Sequence, residues 1–261
     1  YGIGPGEFEF PAYFNIDHND NIYVYDDYLF RLSIFSAEGE FLDSFSFKGS
    51  AFTRFSISND GEIVTNSFSG SDYFITVLDK KGNILKQFDK TPDYFELLPA
   101  LGDAFHAGNI FKADNGNYYL FLKMLLTIRV FNEDGILISE YDFDKITEDK
   151  KACKKYISPD EYFLKPDNTR EIFVPQTASE ITYFKNEIYF LQGKTEFPNN
   201  ECLVIITDMD LNVKRKYNLS IMQNRDTRSV YSLGFEVLNN DPEFLVSIPA
   251  IAEVFKYKPV N

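Results

Sequence analysis

Residues 14–25 read FNIDHNDNIYVY, two short apolar runs joined by a turn of asparagine and aspartate. Runs of this length that end in Asn, Asp and Gly clusters are typical of β-strands, and their close spacing predicts a hairpin. Two further runs follow, Arg31–Phe35 and Phe41–Phe47, with the turn Ala37-Glu38-Gly39 between them. The first unit is therefore predicted to be a four-stranded antiparallel meander.

The same order of strands and turns returns along the chain. The predicted units cover approximately residues 12–47, 54–89, 109–142, 180–219 and 230–258, with an insertion at 144–179. The last unit is one strand short. Self-similarity at about forty residues is typical of repeat architectures such as propellers, so at least five blades are predicted.

The predicted strands carry apolar side chains on both faces, as in Ile22-Tyr23-Val24-Tyr25 and Ile75-Thr76-Val77-Leu78. A sheet of this kind needs a neighbouring sheet on each side, and radial stacking of blades provides both. We therefore predict a single all-β domain over residues 1–261, a β-propeller of four-stranded antiparallel blades. The repeats leave two options open: a five-bladed ring, or a first blade and closing strand upstream of residue 1.

Composition excludes several functional classes. The formal net charge of −14 would repel a phosphate backbone, so nucleic acid is not an expected partner. No apolar run is long enough for a transmembrane segment. The two histidines, His18 and His106, cannot build a multi-histidine zinc centre, and the two cysteines lack metal-type spacing. No cofactor is expected, and weak calcium binding at residues 208–212 is an alternative.

Several residues carry a resemblance to a known family. They are Gly4-Pro5-Gly6-Glu7-Phe8 with Pro11, then residues 21–26, Arg31 and Phe35, and then Gly39-Glu40-Phe41-Leu42. This stretch resembles NHL-repeat propellers, and more closely the six-bladed propeller lipoproteins of Bacteroidetes. The resemblance implies six blades, with a preceding blade upstream, but no common reaction. It also implies an exported protein, periplasmic or at the cell surface, lipid-anchored through a segment outside this sequence.

The candidate site is predicted from loop lengths. In a four-stranded blade, the loops from strand two to three and from strand four to the next blade emerge on one face, and the long segments 90–109, 144–180 and 192–201 fall there. Elaborated loops on a rigid scaffold are where binding residues concentrate. The ligand-binding candidates on this face are Asp26, Asp27, Tyr28, Arg31, Arg54, Asp72, Tyr73, Phe105, His106, Asn109 and Arg228.

An arginine and a histidine that converge with aromatic rings suit a carboxylate or a sugar-like ligand. The alternative is that Arg31 and Arg54 pair with local carboxylates while the aromatic rings pack between blades. Since no catalytic motif is present, we expect a non-enzymatic binding or scaffold propeller. Its partner would be a protein, including an outer-membrane assembly, or a small extracellular ligand. A metal-centred propeller hydrolase or lyase is the second hypothesis.

Overall fold

A computed structural model of the chain describes residues 2–46, 52–67, 72–90, 108–122, 126–146, 180–193, 201–220, 234–237, 244–248 and 253–257. These residues form nineteen β-strands and one short 3-10 helix, Phe143–Lys145.

The strands form five antiparallel sheets in which sequence neighbours are paired. The first sheet contains β1 (Pro11–Ile16), β2 (Ile22–Asp26), β3 (Arg31–Phe35) and β4 (Phe41–Ser46). The second contains β5 (Phe52–Ile57), β6 (Ile63–Ser67), β7 (Tyr73–Leu78) and β8 (Ile84–Lys90). The third contains β9 (Gly108–Lys112), β10 (Tyr118–Leu122), β11 (Thr127–Phe131) and β12 (Leu137–Asp142). The fourth contains β13 (Glu180–Phe184), β14 (Glu187–Gly193), β15 (Glu201–Thr207) and β16 (Val213–Ser220). The fifth contains β17 (Gly234–Val237), β18 (Phe244–Ile248) and β19 (Glu253–Tyr257).

The prediction of four-stranded antiparallel meanders is confirmed by these sheets. Six blades are not present among the described residues, which form four four-stranded sheets and one sheet of three strands. The insertion at 144–179 falls almost wholly outside the described residues, since its described part ends at Ile146.

The hairpin turns are stabilised by their own side chains. In the turn between β7 and β8, one carboxylate oxygen of Asp79 accepts the backbone N–H groups of Lys81 at 2.8 Å and Asn83 at 2.9 Å. Gly82 in this turn has a φ of +80°, a left-handed conformation that favours glycine. The Asx-type acceptor and the glycine together explain why these turns are legible in the sequence.

The protein divides into two compact units. The first is Tyr1–Leu122 with Arg129–Glu140, and the second is Lys123–Ile128 with Tyr141–Asn261. In the second unit, β13 lies beside β17, and the Phe143 ring packs against Phe190 of β14 with centroids 5.3 Å apart.

In the first unit, consecutive sheets pack face to face. One buried cluster joins the two faces, with Tyr23, Tyr25, Leu32 and Ile34 from the first sheet and Phe55, Ile63 and Leu78 from the second. The second sheet meets the third in the same way, because Phe88 of β8 lies 5.1 Å from the Tyr118 ring and 5.2 Å from the Phe131 ring. Burial of these rings and aliphatic chains is the main source of stability in this unit.

Two turn glycines make room for this packing. A Cβ atom at Gly82 would overlap the Phe45 ring of the preceding sheet, and a Cβ atom at Gly135 would overlap the Phe88 ring. The same contact between an aromatic ring of a fourth strand and a turn glycine of the next sheet is therefore used twice. Such repetition is expected of stacked blades.

Candidate functional site

Antiparallel pairing brings the start of β1, the end of β2 and the start of β3 together at one end of the strands, which we call an edge of the first sheet. Pro11 at the start of β1 pairs with Asp26 at the end of β2, and Asp26 pairs with Arg31 at the start of β3. The segment before β1 and the β2–β3 connection, residues 27–30, therefore lie at the same edge. This is the edge on which the sequence placed the candidate site.

Asp26 holds these segments together. The residue is 0 % exposed, and one oxygen of its carboxylate accepts the N–H groups of Glu9 at 2.7 Å and Phe10 at 3.0 Å. The other oxygen accepts the N–H groups of Tyr28 at 3.0 Å and Leu29 at 2.8 Å. Burial raises the pKa of this carboxyl, but the four amide donors outweigh burial and leave the pKa below its ordinary value. The structure thus places Asp26 inside the frame of the site, with its oxygens already engaged.

Arg31 binds the same N-terminal segment. Its guanidinium donates to the carbonyl oxygen of Ile3 at 2.8 Å and also to the carbonyl oxygen of Glu7. These acceptors are backbone carbonyls rather than the local carboxylates considered in the sequence analysis. Arg31 therefore fixes the course of residues 3–7 over the sheet edge.

A concavity of about 440 Å³ opens at this edge, lined by Glu9, Phe10, Asp27 and Tyr28. We call it the Tyr28 concavity. Its two rings are strongly solvated, with Phe10 62 % and Tyr28 70 % exposed, while Glu9 and Asp27 are half-buried. The backbone N–H of Asp27 donates to the carbonyl oxygen of Phe10 at 3.0 Å, so the two walls are directly bonded. The structure thus brings together Asp27 and Tyr28 from the predicted set.

Glu9 and Phe10 were not among the predicted residues. They lie between the turn at residues 4–8 and the first strand, where no strand periodicity or long loop draws attention to them. The available signal was Pro11, which marks the start of an edge strand and so places residues 9 and 10 at that end of the sheet.

Arg54 lies at the corresponding edge of the second sheet, where it pairs with Asn66. Its guanidinium carbon is 4.2 Å from the centre of the Tyr13 ring of β1, a cation–π contact between adjacent sheets. Asn66 continues the connection, because its side chain accepts the N–H of Arg54 at 2.9 Å and donates to the carbonyl oxygen of Gly108 at 3.0 Å. The Tyr13 ring is thus packed between adjacent sheets, as the alternative in the sequence analysis expected of the aromatic rings, and its partner there is Arg54.

The remaining candidates are dispersed. Asp72 and Tyr73 are exposed at the start of β7, and Asn109 lies in β9, paired with Phe121 of β10. None of these three residues lines the Tyr28 concavity. Phe105, His106 and Arg228 lie outside the described residues.

The turn that was considered for calcium joins β15 and β16 in the fourth sheet. One Asp208 oxygen accepts the N–H groups of Asp210 at 3.0 Å and Asn212 at 2.9 Å, and its other oxygen accepts the Asn212 side-chain amide at 3.1 Å. The carboxylate thus serves the turn itself. Among the residues that the structure describes, no group of three or more His, Cys, Asp or Glu side chains is placed to hold a metal ion. Nor does any helix in the described ranges have the length and apolar character needed to cross a membrane.

No family model and no curated protein matches this chain. Solved structures do match it. A protein of unknown function from Bacteroides caccae is 13% identical with a TM-score of 0.51, covering 91% of this chain and 70% of that one. A member of the DUF4221 family from Bacteroides vulgatus is 11% identical with a TM-score of 0.52, covering 97% of this chain and 79% of that one. A catalytically inactive virginiamycin B lyase from Staphylococcus aureus, solved with quinupristin, is 16% identical with a TM-score of 0.51, covering 96% of this chain and 70% of that one.

The chain has a propeller fold. Likeness to these structures and the four-stranded antiparallel sheets agree on this assignment. Identities of 11% to 16% relate the chains by fold alone, because one fold hosts many unrelated functions.

Proposed function

We propose that this propeller is a binding protein, without catalytic activity of its own, which recognises a partner protein or an extracellular ligand through the Tyr28 concavity. The observation that carries the proposal is a pair of solvated aromatic rings, Phe10 and Tyr28, held on a fixed frame. Exposed rings at a concave site are typical of recognition surfaces, and aromatic residues dominate binding energy at interfaces.

The frame supports this proposal because it is organised before any ligand binds. Asp26 joins the two walls through four amide hydrogen bonds, and Arg31 holds the segment that precedes them. A site that needs no ordering on binding loses little conformational entropy. Neither Asp26 nor Arg31 needs to contact the ligand for this effect.

The wider setting is proposed from the sequence resemblance. We infer an exported protein, periplasmic or at the cell surface and lipid-anchored, whose partner is an extracellular ligand or a component of an outer-membrane assembly. We also propose that the whole protein has the six blades of the NHL-like family. The formal net charge of −14 supports a protein or small-molecule partner over nucleic acid.

The test is a binding screen against immobilised peptides and oligosaccharides, with wild type, Tyr28→Ala and Ile84→Ala compared. Ile84 is an exposed side chain on β8 and serves as the matched control. We expect at least one ligand class whose affinity falls about fivefold or more in Tyr28→Ala and is unchanged in Ile84→Ala. The proposal is overturned if no ligand depends on Tyr28, or if the purified protein turns over a compound in a parallel activity screen.

A further inference from the structure

We propose that the Tyr28 concavity binds a cationic group, the lysine or arginine side chain of a basic segment in a partner protein. This inference rests on the proposed binding function and specifies the class of its ligand. It follows from the chemistry of the four side chains that line the concavity.

The polar side chains of the lining offer acceptors. Glu9 and Asp27 carry carboxylates, and ionised carboxylates accept hydrogen bonds without donating any. Within the described part of the chain, neither carboxylate has a side-chain hydrogen bond or ion pair, in contrast to neighbouring Asp26 with its four donors. Lysine and arginine side chains donate only, so they are the natural complement.

The aromatic rings favour the same ligand. Phe10 and Tyr28 are largely exposed to solvent, and the face of an aromatic ring attracts a cation. The first unit already uses this interaction, with Arg54 placed 4.2 Å from the centre of the Tyr13 ring. A cation in the Tyr28 concavity would combine ring contact with carboxylate contact, which a neutral or anionic group would not.

The surrounding charge is strongly negative. Four of the six Asp and Glu residues in the range 2–31 lie at this end of the sheet, namely Glu7, Glu9, Asp26 and Asp27, together with one arginine, Arg31. Its guanidinium is directed at the carbonyl oxygens of Ile3 and Glu7, as part of the frame. An anionic ligand would therefore meet repulsion from Glu9 and Asp27 without a lining cation to offset it. A cationic segment would instead be attracted by the −14 charge of the whole chain.

A neutral sugar is the closest competing ligand, since sugars also stack on aromatic rings. Sugar hydroxyls both donate and accept hydrogen bonds, and the lining carboxylates satisfy only the donors. The lining offers two carboxylates and one hydroxyl donor, that of Tyr28, so it favours the cation, and the experiment includes a sugar to separate the two.

The experiment measures affinity by titration calorimetry for three capped hexapeptides of alternating residues, Lys-Ser, Arg-Ser and Glu-Ser, and for cellohexaose. The variants are Glu9→Gln with Asp27→Asn, which removes both charges at constant shape, and Tyr28→Ala. Asp20→Asn is the matched charge control, because Asp20 is exposed in the β1–β2 turn at the opposite edge. Circular dichroism and thermal melting establish that each variant is folded.

We expect the Lys-Ser or Arg-Ser peptide to bind wild type and the Asp20→Asn protein equally. The doubly neutralised variant should bind about tenfold more weakly, and Tyr28→Ala about fivefold more weakly. Raising the salt concentration should weaken wild-type binding and have little effect on what remains in the neutralised variant.

Other outcomes distinguish this inference from the proposed function. Binding of cellohexaose or the Glu-Ser peptide that depends on Tyr28 would overturn the cationic ligand class and leave the binding function standing. Basic peptides that bind the doubly neutralised variant as tightly as wild type would also overturn the inference. If no peptide or sugar, here or in the wider screen, depends on Tyr28, both proposals fail.

Discussion

Neighbouring residues at the sheet edge have different roles. Asp26 is buried and bonded to four backbone amides, whereas Asp27, the next residue, lines the Tyr28 concavity with its carboxylate half-buried. The difference comes from the end of β2 at Asp26 and from the Glu9 and Phe10 amides, which lie within hydrogen-bond distance of the Asp26 carboxylate. The role of each carboxylate is therefore set by the amides within reach.

Replacement of Asp26 tests this assignment. Asn at this position has the same shape, but its NH₂ group would face amide donors and leave two of the four without an acceptor. We expect Asp26→Asn to lower the free energy of unfolding by about 3 kcal/mol in a denaturant titration. Asp27→Asn, one residue away, should change it by about 0.5 kcal/mol or less. Equal effects of the two substitutions would contradict the structural role of Asp26.

Gly108 is a second residue at which one added carbon atom would disturb the fold. A Cβ atom there would overlap the backbone carbonyl oxygen of Phe121, across the β9–β10 ladder, where neither strand can yield. We expect Gly108→Ala to reduce the free energy of unfolding by about 3 kcal/mol or more. The control is Gly39→Ala, since Gly39 has a φ of +85° and open space around it, so only backbone strain of about 1 kcal/mol is expected. A mild effect at Gly108 would show that the strands separate easily.

At the scale of elements, equivalent positions in two blades differ in burial. Phe14 of β1 and Phe55 of β5 occupy the same place in the repeat, each three residues before the polar residue that opens the first hairpin turn. Phe55 is 6 % exposed because the first sheet covers it, whereas Phe14 is 70 % exposed. Sheet packing, not position in the repeat, therefore determines how much each ring contributes.

Alanine at the two positions measures this difference. We expect Phe55→Ala to destabilise the protein by about 3 to 5 kcal/mol, since it leaves a cavity between two sheets. Phe14→Ala should cost less than about 1 kcal/mol. Urea denaturation followed by circular dichroism provides the measurement. A cost at Phe14 as large as that at Phe55 would mean that another element covers Phe14 in solution.

At the scale of the whole molecule, repeated aspartate turns and the Asp26 frame link stability to pH. Burial raises the pKa of Asp17, Asp26 and Asp208, but hydrogen bonds from surrounding N–H groups outweigh it, so each pKa lies below the ordinary value. Such groups stabilise the fold above their unfolded pKa, and that stability is lost as the pH falls through the folded pKa. Asp89 acts in the opposite sense, because burial raises its pKa more than Arg129 lowers it.

We therefore expect the urea midpoint to be level near neutral pH and to fall progressively below about pH 4. Asp26→Asn should lose less stability over that range than wild type, because one of the responsible carboxyls is gone. Asp89→Asn should lose more between neutral and acid pH, because wild type gains stability as the pH falls through the raised pKa of Asp89 toward its unfolded value and the variant does not. A midpoint that stays constant down to about pH 2.5 would contradict this account.

The sequence by itself determined the local architecture. Apolar runs of strand length, Asx turns such as that at Asp79 and glycines at left-handed positions such as Gly82 all act within a few residues, so they can be read directly. The four-stranded meander and its repetition followed from these signals, as did the edge on which Asp27 and Tyr28 lie. The number of blades did not follow, because it depends on how sheets assemble rather than on any one hairpin.

Only the tertiary structure decided which polar residues build the site and which support it. Asp26 and Arg31 looked as suitable for ligand binding as Asp27 and Tyr28, but each is engaged by partners in the N-terminal segment that lie 16 to 28 residues away along the chain. Glu9 and Phe10 joined the site through the same long-range bonds. Hydrogen bonds between distant segments leave no periodic pattern in a sequence, and these bonds separate a buried frame from an exposed recognition surface.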